Sequence, residues 1–212
     1  MNKPAPLSTR RRGLVAAAAA SLATPLWVPR LQAQQPQRLA LTPAQTEGPF
    51  YPVSLPADTD FDLLANGSQR YARGQAAWLQ GQVTDVEGRP VRGAVVEIWQ
   101  CDEAGHYHHP GDGRADPAFQ GFGRVAVDGS GAYRFRTLRP VAYSGRTPHI
   151  HLKVKLGSRE LLTTQLYVEG DAGNARDGLW RGLSPADRLA VTRPFQPVAD
   201  GLAVQFPLVV AA

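Results

Sequence analysis

The sequence predicts an all-β fold, an antiparallel β-sandwich with long loops and little helix. Short runs rich in β-branched and aromatic residues recur along the chain, compact turn signals separate them, and 18 prolines in 212 residues leave little room for long helices. At this length one domain with a sizeable core is expected, with extensions around it.

The elements follow in chain order. Residues 1–33 read as an export leader, to be set apart from the fold: Thr9-Arg10-Arg11-Arg12-Gly13-Leu14 resembles a twin-arginine signal, and the apolar run Val15 to Ala23 follows it. Pro25 and Pro29 end that run short of the roughly 20 apolar residues that a membrane span requires. No stable membrane span is therefore expected in the mature form, which is expected to be periplasmic or secreted after cleavage following Ala33. Residues 34–76 are punctuated by Pro and Gly without periodicity, and are expected to form an arm wrapped on a sandwich of residues 77–212. Strands are expected over Ala77–Val83, Val91–Trp99, Gly121–Val127, Ala132–Thr137, His149–Leu156, Leu161–Tyr167 and Leu202–Val209. The turns between them include Asp85-Val86-Glu87-Gly88, Asp128-Gly129-Ser130-Gly131 and Leu156-Gly157-Ser158. One short helix is expected to start at Ser184, with Pro185 as its first residue and Asp187 in its first turn.

The net charge of +5 resides in the leader. Lys3, Arg10, Arg11, Arg12 and Arg30 all fall within residues 1–33, where no acid occurs, so the remainder is neutral and offers no basic face to a nucleic acid. Cys101 is the only cysteine, which rules out a disulfide within the chain. Its place in an apolar run suits a small buried filler.

The most informative stretch is His149-Ile150-His151. Residues i and i+2 of a strand share a face. Ile150, Leu152 and Val154 would take one side, leaving His149, His151 and Lys153 on the other. Imidazole serves zinc, copper, iron and nickel alike, so the pair names no metal. All five histidines fall into two clusters, 106/108/109 and 149/151, and a copper or zinc site built from His106, His108, His149 and His151 is one reading. Tyr107 and Tyr143, taken singly, read as packing aromatics.

Seven segments together resemble the intradiol ring-cleavage dioxygenases, the family of catechol and protocatechuate dioxygenases. They are Thr46-Glu47-Gly48-Pro49-Phe50-Tyr51-Pro52, Gly81-Gln82-Val83-Thr84-Asp85, Val95-Val96-Glu97-Ile98-Trp99-Gln100, Gly105-His106-Tyr107, Tyr143, Arg146-Thr147-Pro148-His149-Ile150-His151 and Thr164-Gln165-Leu166-Tyr167. They run in the family's order and cover roughly residues 42–210. The chain is more similar to the protocatechuate branch and its exported single-chain relatives than to the catechol enzymes, whose helical N-terminal region it has no room for. It departs at Cys101-Asp102, where many relatives have Ala-Asn, and in the short stretch between Tyr143 and Arg146, which bears on substrate choice.

The resemblance implies an immunoglobulin- or prealbumin-like sandwich holding non-haem Fe(III) on Tyr107, Tyr143, His149 and His151. It implies a catecholic small-molecule substrate and O2, with both oxygen atoms inserted between the two hydroxylated carbons to give a cis,cis-muconate type diacid. Tyr143 would be the ligand that leaves, with Tyr107 staying. Arg146 would stabilise negative charge on the ring, Gln165 would orient the substrate, and Tyr51 would line the pocket mouth. Relatives are commonly multimeric, which allows a homo-oligomer. One rival remains besides the copper or zinc site. Gly81-Gln82-Val83-Thr84-Asp85 and Gly88-Arg89-Pro90-Val91-Arg92-Gly93-Ala94 also resemble the non-catalytic sandwich modules of transthyretin and carboxypeptidase-regulatory type.

Overall fold

The computed structural model describes Met1 and residues 38–212; the leader and its cleavage point lie outside the described residues. A small ribbon of β1 (Ala65–Asn66) and β2 (Gln69–Arg70) precedes two five-stranded sheets. The first is built on β3 (Ala76–Thr84), with β6 (Ala132–Leu138) antiparallel to it and β11 (Gly201–Gln205) and β12 (Leu208–Val209) parallel to it. β10 (Gln196–Val198) closes that sheet beyond β11. The second sheet runs β5 (Phe122–Ala126), β4 (Ala94–Trp99), β7 (His149–Leu156), β8 (Arg159–Val168) and β9 (Thr192–Arg193). Among the described residues no helix is long and apolar enough to cross a membrane.

All seven expected strands are present, with two changes of detail. The run expected over Leu202–Val209 divides at Phe206-Pro207, because Pro207 has no N–H to give to a ladder. Its two halves pair parallel with β3, so this sheet is mixed where an antiparallel one was expected. The run expected from Val91 begins at Ala94, after Gly93 has turned the chain at φ 77°. The helix expected at Ser184 is α2 (Pro185–Val191), with the Ser184 hydroxyl accepting from the Asp187 N–H.

Alternation builds the core. Val96 and Ile98 of β4, Phe135 of β6, Ile150, Leu152 and Val154 of β7 and Leu166 of β8 point between the sheets, and each is fully buried. The opposite face of β7 is buried as well, although it bears His149, His151 and Lys153. Residues 42–52 cover it. Gln45 N–H donates to the Thr163 carbonyl (2.8 Å), Thr164 Oγ1 to the Pro43 carbonyl (2.7 Å) and Gln165 Nε2 to the Thr46 carbonyl (3.0 Å). Lys153 Nζ pairs with Glu47 and, at 3.2 Å, with Glu160. This cover turns a polar strand face into an enclosed one.

Candidate metal centre

Two imidazoles set the geometry. His149 and His151 project from one face of β7, their Nε2 atoms 3.2 Å apart. His149 Nδ1 lies 2.6 Å from the Thr147 carbonyl, which can only accept, so Nδ1 carries the proton and Nε2 presents a lone pair. His151 is stacked on Trp99, its neighbour on β4, with ring centroids 4.8 Å apart and planes at 10°. Burial and the nearby Arg146 guanidinium depress both histidines: His149 falls to about 4 and His151 well below its ordinary value, with His149 adding to the effect on His151. Both rings are neutral at pH 7 and ready to donate electron pairs.

Two phenols join them from separate loops. The Tyr107 and Tyr143 rings lie 5.0 Å apart, Tyr143 is 5.3 Å from the His149 ring and Tyr107 is 6.3 Å from the His151 ring. Tyr107 sits on a loop held by the buried Asp102, whose carboxylate accepts from the N–H groups of Ala104, His106 and Asp116. Tyr143 opens a tight turn closed by the Arg146 N–H on the Tyr143 carbonyl at 2.7 Å, with Ser144 and Gly145 at φ 45° and 76°. Positive φ at both central positions is the requirement of a type I′ turn, and Ser144 meets it at some steric cost.

The four rings leave donor atoms without partners. Tyr107 is buried and its hydroxyl has no hydrogen bond; His151 Nδ1 has none either, but it is the Nε2 of that ring that faces His149. Burial pushes both phenols up, Tyr107 well above its ordinary value with the neighbouring Tyr143 adding to the rise. Without a nearby cation these groups stay protonated and Tyr107 stays unsatisfied, at a cost of about 1–3 kcal/mol for a buried hydroxyl. A hard, highly charged cation among the rings would convert the phenols to phenolates and accept the imidazole lone pairs. The residues fit such an ion.

The structure does not support the copper or zinc set. His108 Nε2 is 2.5 Å from the Phe119 carbonyl and so held in its own loop, and His106 Nδ1 faces Asp112 Oδ2 of that loop at 3.3 Å without a hydrogen bond. Among the described residues no group of three or more His, Cys, Asp or Glu is placed to hold a metal. Cys101 is buried, and burial pushes its thiol up to about 12. That suits a filler and not a ligand.

Arg146 and Gln165 border the rings. Arg146 donates from Nε to Asp177 Oδ2 and from a terminal nitrogen to Gln165 Oε1, each at 2.7 Å. Asp177 has no exposed side-chain surface. Its Oδ2 also accepts the Thr147 N–H (3.0 Å), and its Oδ1 accepts the N–H groups of Leu179 and Trp180 (2.9 and 3.0 Å), capping α1 (Gly178–Gly182). Although burial opposes its ionisation, the Trp180 N–H, the Arg146 guanidinium and the Thr147 N–H hold this carboxyl below the ordinary range. Sequence reasoning missed Asp177; its only signal was an N-cap residue type before a short helix.

Tyr51 takes a different place from the one expected. Its ring meets Trp99 and Phe122 edge-on, and its hydroxyl donates to the buried Glu97 at 2.8 Å, so it packs behind His151 away from a pocket mouth. Phe50 takes the position against the phenols, stacked on Tyr107 at 4.4 Å and 5°. With Pro52, Val53, Trp99 and Phe122 it lines a cleft of about 400 Å³ that reaches Tyr107.

A sequence profile described as Dioxygenase matches residues 46–209. The chain is 36% identical over 148 residues to hydroxyquinol 1,2-dioxygenase of Corynebacterium glutamicum, covering 61% of this chain and 47% of that protein. It is 36% identical over 154 residues to the protocatechuate 3,4-dioxygenase beta chain of Burkholderia cepacia, covering 66% of this chain and 65% of that one. The chain thus spans between about half and two thirds of the curated relatives it matches. Among solved structures, the dioxygenase domain of a carbohydrate-binding fusion from Streptomyces sp. SirexAA-E aligns with TM-score 0.64 and 29% identity, over 80% of this chain and 97% of that domain. An intradiol ring-cleavage dioxygenase from Tetranychus urticae shares the fold at TM-score 0.65 and 21% identity, over 81% and 95% of the two chains. The order of motifs, the sandwich and the profile agree: the chain belongs to the intradiol ring-cleavage dioxygenase family.

Proposed function

We propose that this protein is an exported dioxygenase that opens a catecholic ring between its two hydroxylated carbons, using ferric iron held by Tyr107, Tyr143, His149 and His151. The observation that carries this reading is the convergence of two neutral imidazole nitrogens, 3.2 Å apart, with two phenols, the buried Tyr107, whose hydroxyl has no hydrogen-bond partner, and the half-buried Tyr143. Two phenolates offset most of a trivalent charge, and hard oxygen donors favour the ferric state. Bound there, ferric iron supplies the Lewis acidity that draws electron density from a coordinated catechol and opens its ring to O2.

The chain's own groups divide the remaining work. Tyr107 is enclosed beneath Phe50 and keeps its place, whereas Tyr143 is only half-buried and is the phenol free to swing aside for substrate. On leaving, the Tyr143 Oη can take one of the two protons a catechol sheds. Arg146 keeps its charge at any working pH and presents it where negative charge grows on the ring. Gln165 is held between Arg146 and the Thr46 carbonyl, and so orients that guanidinium. The product is a cis,cis-muconate type diacid. Export rests on the Arg10-Arg11-Arg12 leader motif.

The decisive experiment is O2 uptake by the iron-loaded protein across a panel of catechols, with product masses and absorption spectra. Ring opening between the hydroxyls is expected. Opening beside them, or no uptake with any catechol, rejects the proposal.

A further inference from the structure

We propose that Asp177 is a positioning residue that fixes Arg146 beside the candidate iron centre, an inference that rests on the dioxygenase reading above. A permanent cation set beside a site that gathers positive charge is driven outward towards solvent. Arg146 has a solvent route, its side chain being 22% exposed. A fully buried carboxylate holding Nε at 2.7 Å closes that route. The anchor takes only one guanidinium edge. A second donor rests on Gln165, so these two bonds engage two of the five N–H groups.

The same carboxylate reaches the metal-ligating strand. Its Oδ2 accepts the Thr147 N–H, and the Thr147 carbonyl accepts the Nδ1–H of His149. One carboxylate thus sets the guanidinium and, through the single residue Thr147, bears on the carbonyl that fixes the tautomer of a ligand imidazole. Its other oxygen is tied to the start of α1, which gives the anchor a rigid base. Thr147 Oγ1 and Asn174 Oδ1, 2.8 Å apart, brace the same peptide from a second side.

Asp177→Asn in the full-length protein separates this role from a merely structural one. Asn caps helices about as well as Asp, so α1 stays capped while the negative charge that holds the Arg146 guanidinium is lost. In 1H–15N spectra of metal-free protein, the Arg146 Nε–H signal, assigned by its absence in Arg146→Gln, should exchange slowly in the wild type. It should exchange fast and shift upfield in Asp177→Asn. In the iron-loaded protein kcat should fall about ten- to hundredfold while KM changes less than about threefold, with iron content and visible colour retained. In the Arg146→Gln background, Asp177→Asn should cost no further kcat. If Asp177→Asn does not fold, Asp177→Glu, which keeps the charge but moves it by one methylene, should show the same signature with a smaller loss. An unmoved Nε–H signal, or kcat losses that multiply across the double variant, overturns the proposal. The spectra of metal-free protein report on the anchor even if no catechol is opened, so they distinguish its failure from failure of the dioxygenase reading.

Discussion

Tyr107→Phe should make the metal-free protein more stable while weakening its grip on iron. The hydroxyl is buried, 3% of the residue being exposed, and has no hydrogen bond. Leaving such a group unsatisfied costs about 1–3 kcal/mol. Deleting one oxygen leaves a void smaller than a methylene, and that loss is below about 1 kcal/mol. The desolvation cost is the larger effect, so a net gain of about 1–2 kcal/mol is expected. In a domain of this size that corresponds to a Tm higher by about 2–8 °C. The assay is thermal unfolding of chelator-stripped wild type and variant, repeated with ferric iron. Iron should raise the wild-type Tm by mass action, and raise that of the variant much less. If stripped Tyr107→Phe melts below the wild type, the hydroxyl is already satisfied by Tyr143 and the donor vacancy argued for the site does not exist.

Other outcomes follow from the same packing. Tyr51→Phe removes the hydroxyl bonded to buried Glu97, leaving Arg124 at 3.5 Å and Lys155 at 3.8 Å as its neighbours. It should cost about 1.5–3 kcal/mol in urea unfolding and leave iron binding intact; lost iron would place Tyr51 in the site after all. Gly81→Ala would drive its new methyl into the Phe206 carbonyl, and should cost about 1–3 kcal/mol, visible as a lower urea midpoint. The depressed carboxyl of Asp177 adds stability that is whole above the ordinary value of 3.8 and is lost as pH falls through its lower folded-state value. Urea titrations between pH 5 and pH 3 should therefore show a shallower acid decline for Asp177→Asn; parallel curves would mean that its ionisation is not linked to folding. Stripping iron from wild type should bleach the red-brown tyrosinate-to-ferric colour, and readdition should restore it; a colourless iron-loaded protein would remove the phenols from the coordination set.

Much of this molecule is legible in its sequence because period-two alternation is a local property. Ile150, Leu152 and Val154 announce their side of β7, and by elimination place His149, His151 and Lys153 together. Ser184-Pro185-Ala186-Asp187 announces α2 because capping chemistry is local too. The parallel pairing of β11 and β12 with β3 is not announced, since it depends on chain segments more than 100 residues apart. The enclosure of the polar face of β7 likewise comes from residues 42–52, where no periodicity marks a partner. In Phe50-Tyr51 the sequence offers two adjacent aromatics, and only tertiary packing decides that the phenylalanine meets Tyr107. α1 is five residues long with glycine at both ends, too short to show a helical period, so the importance of Asp177 was hidden with it.

The bond from Gln45 Nε2 to Thr164 Oγ1 closes a loop of 119 residues, and the phenols and imidazoles of the candidate site come from three further stretches of chain. An extended chain therefore presents no nest of donors, and affinity for the cation arises only after the last of these closures. On the proposed function, iron would bind late, and its binding free energy would stabilise the native state and not the chain that precedes it.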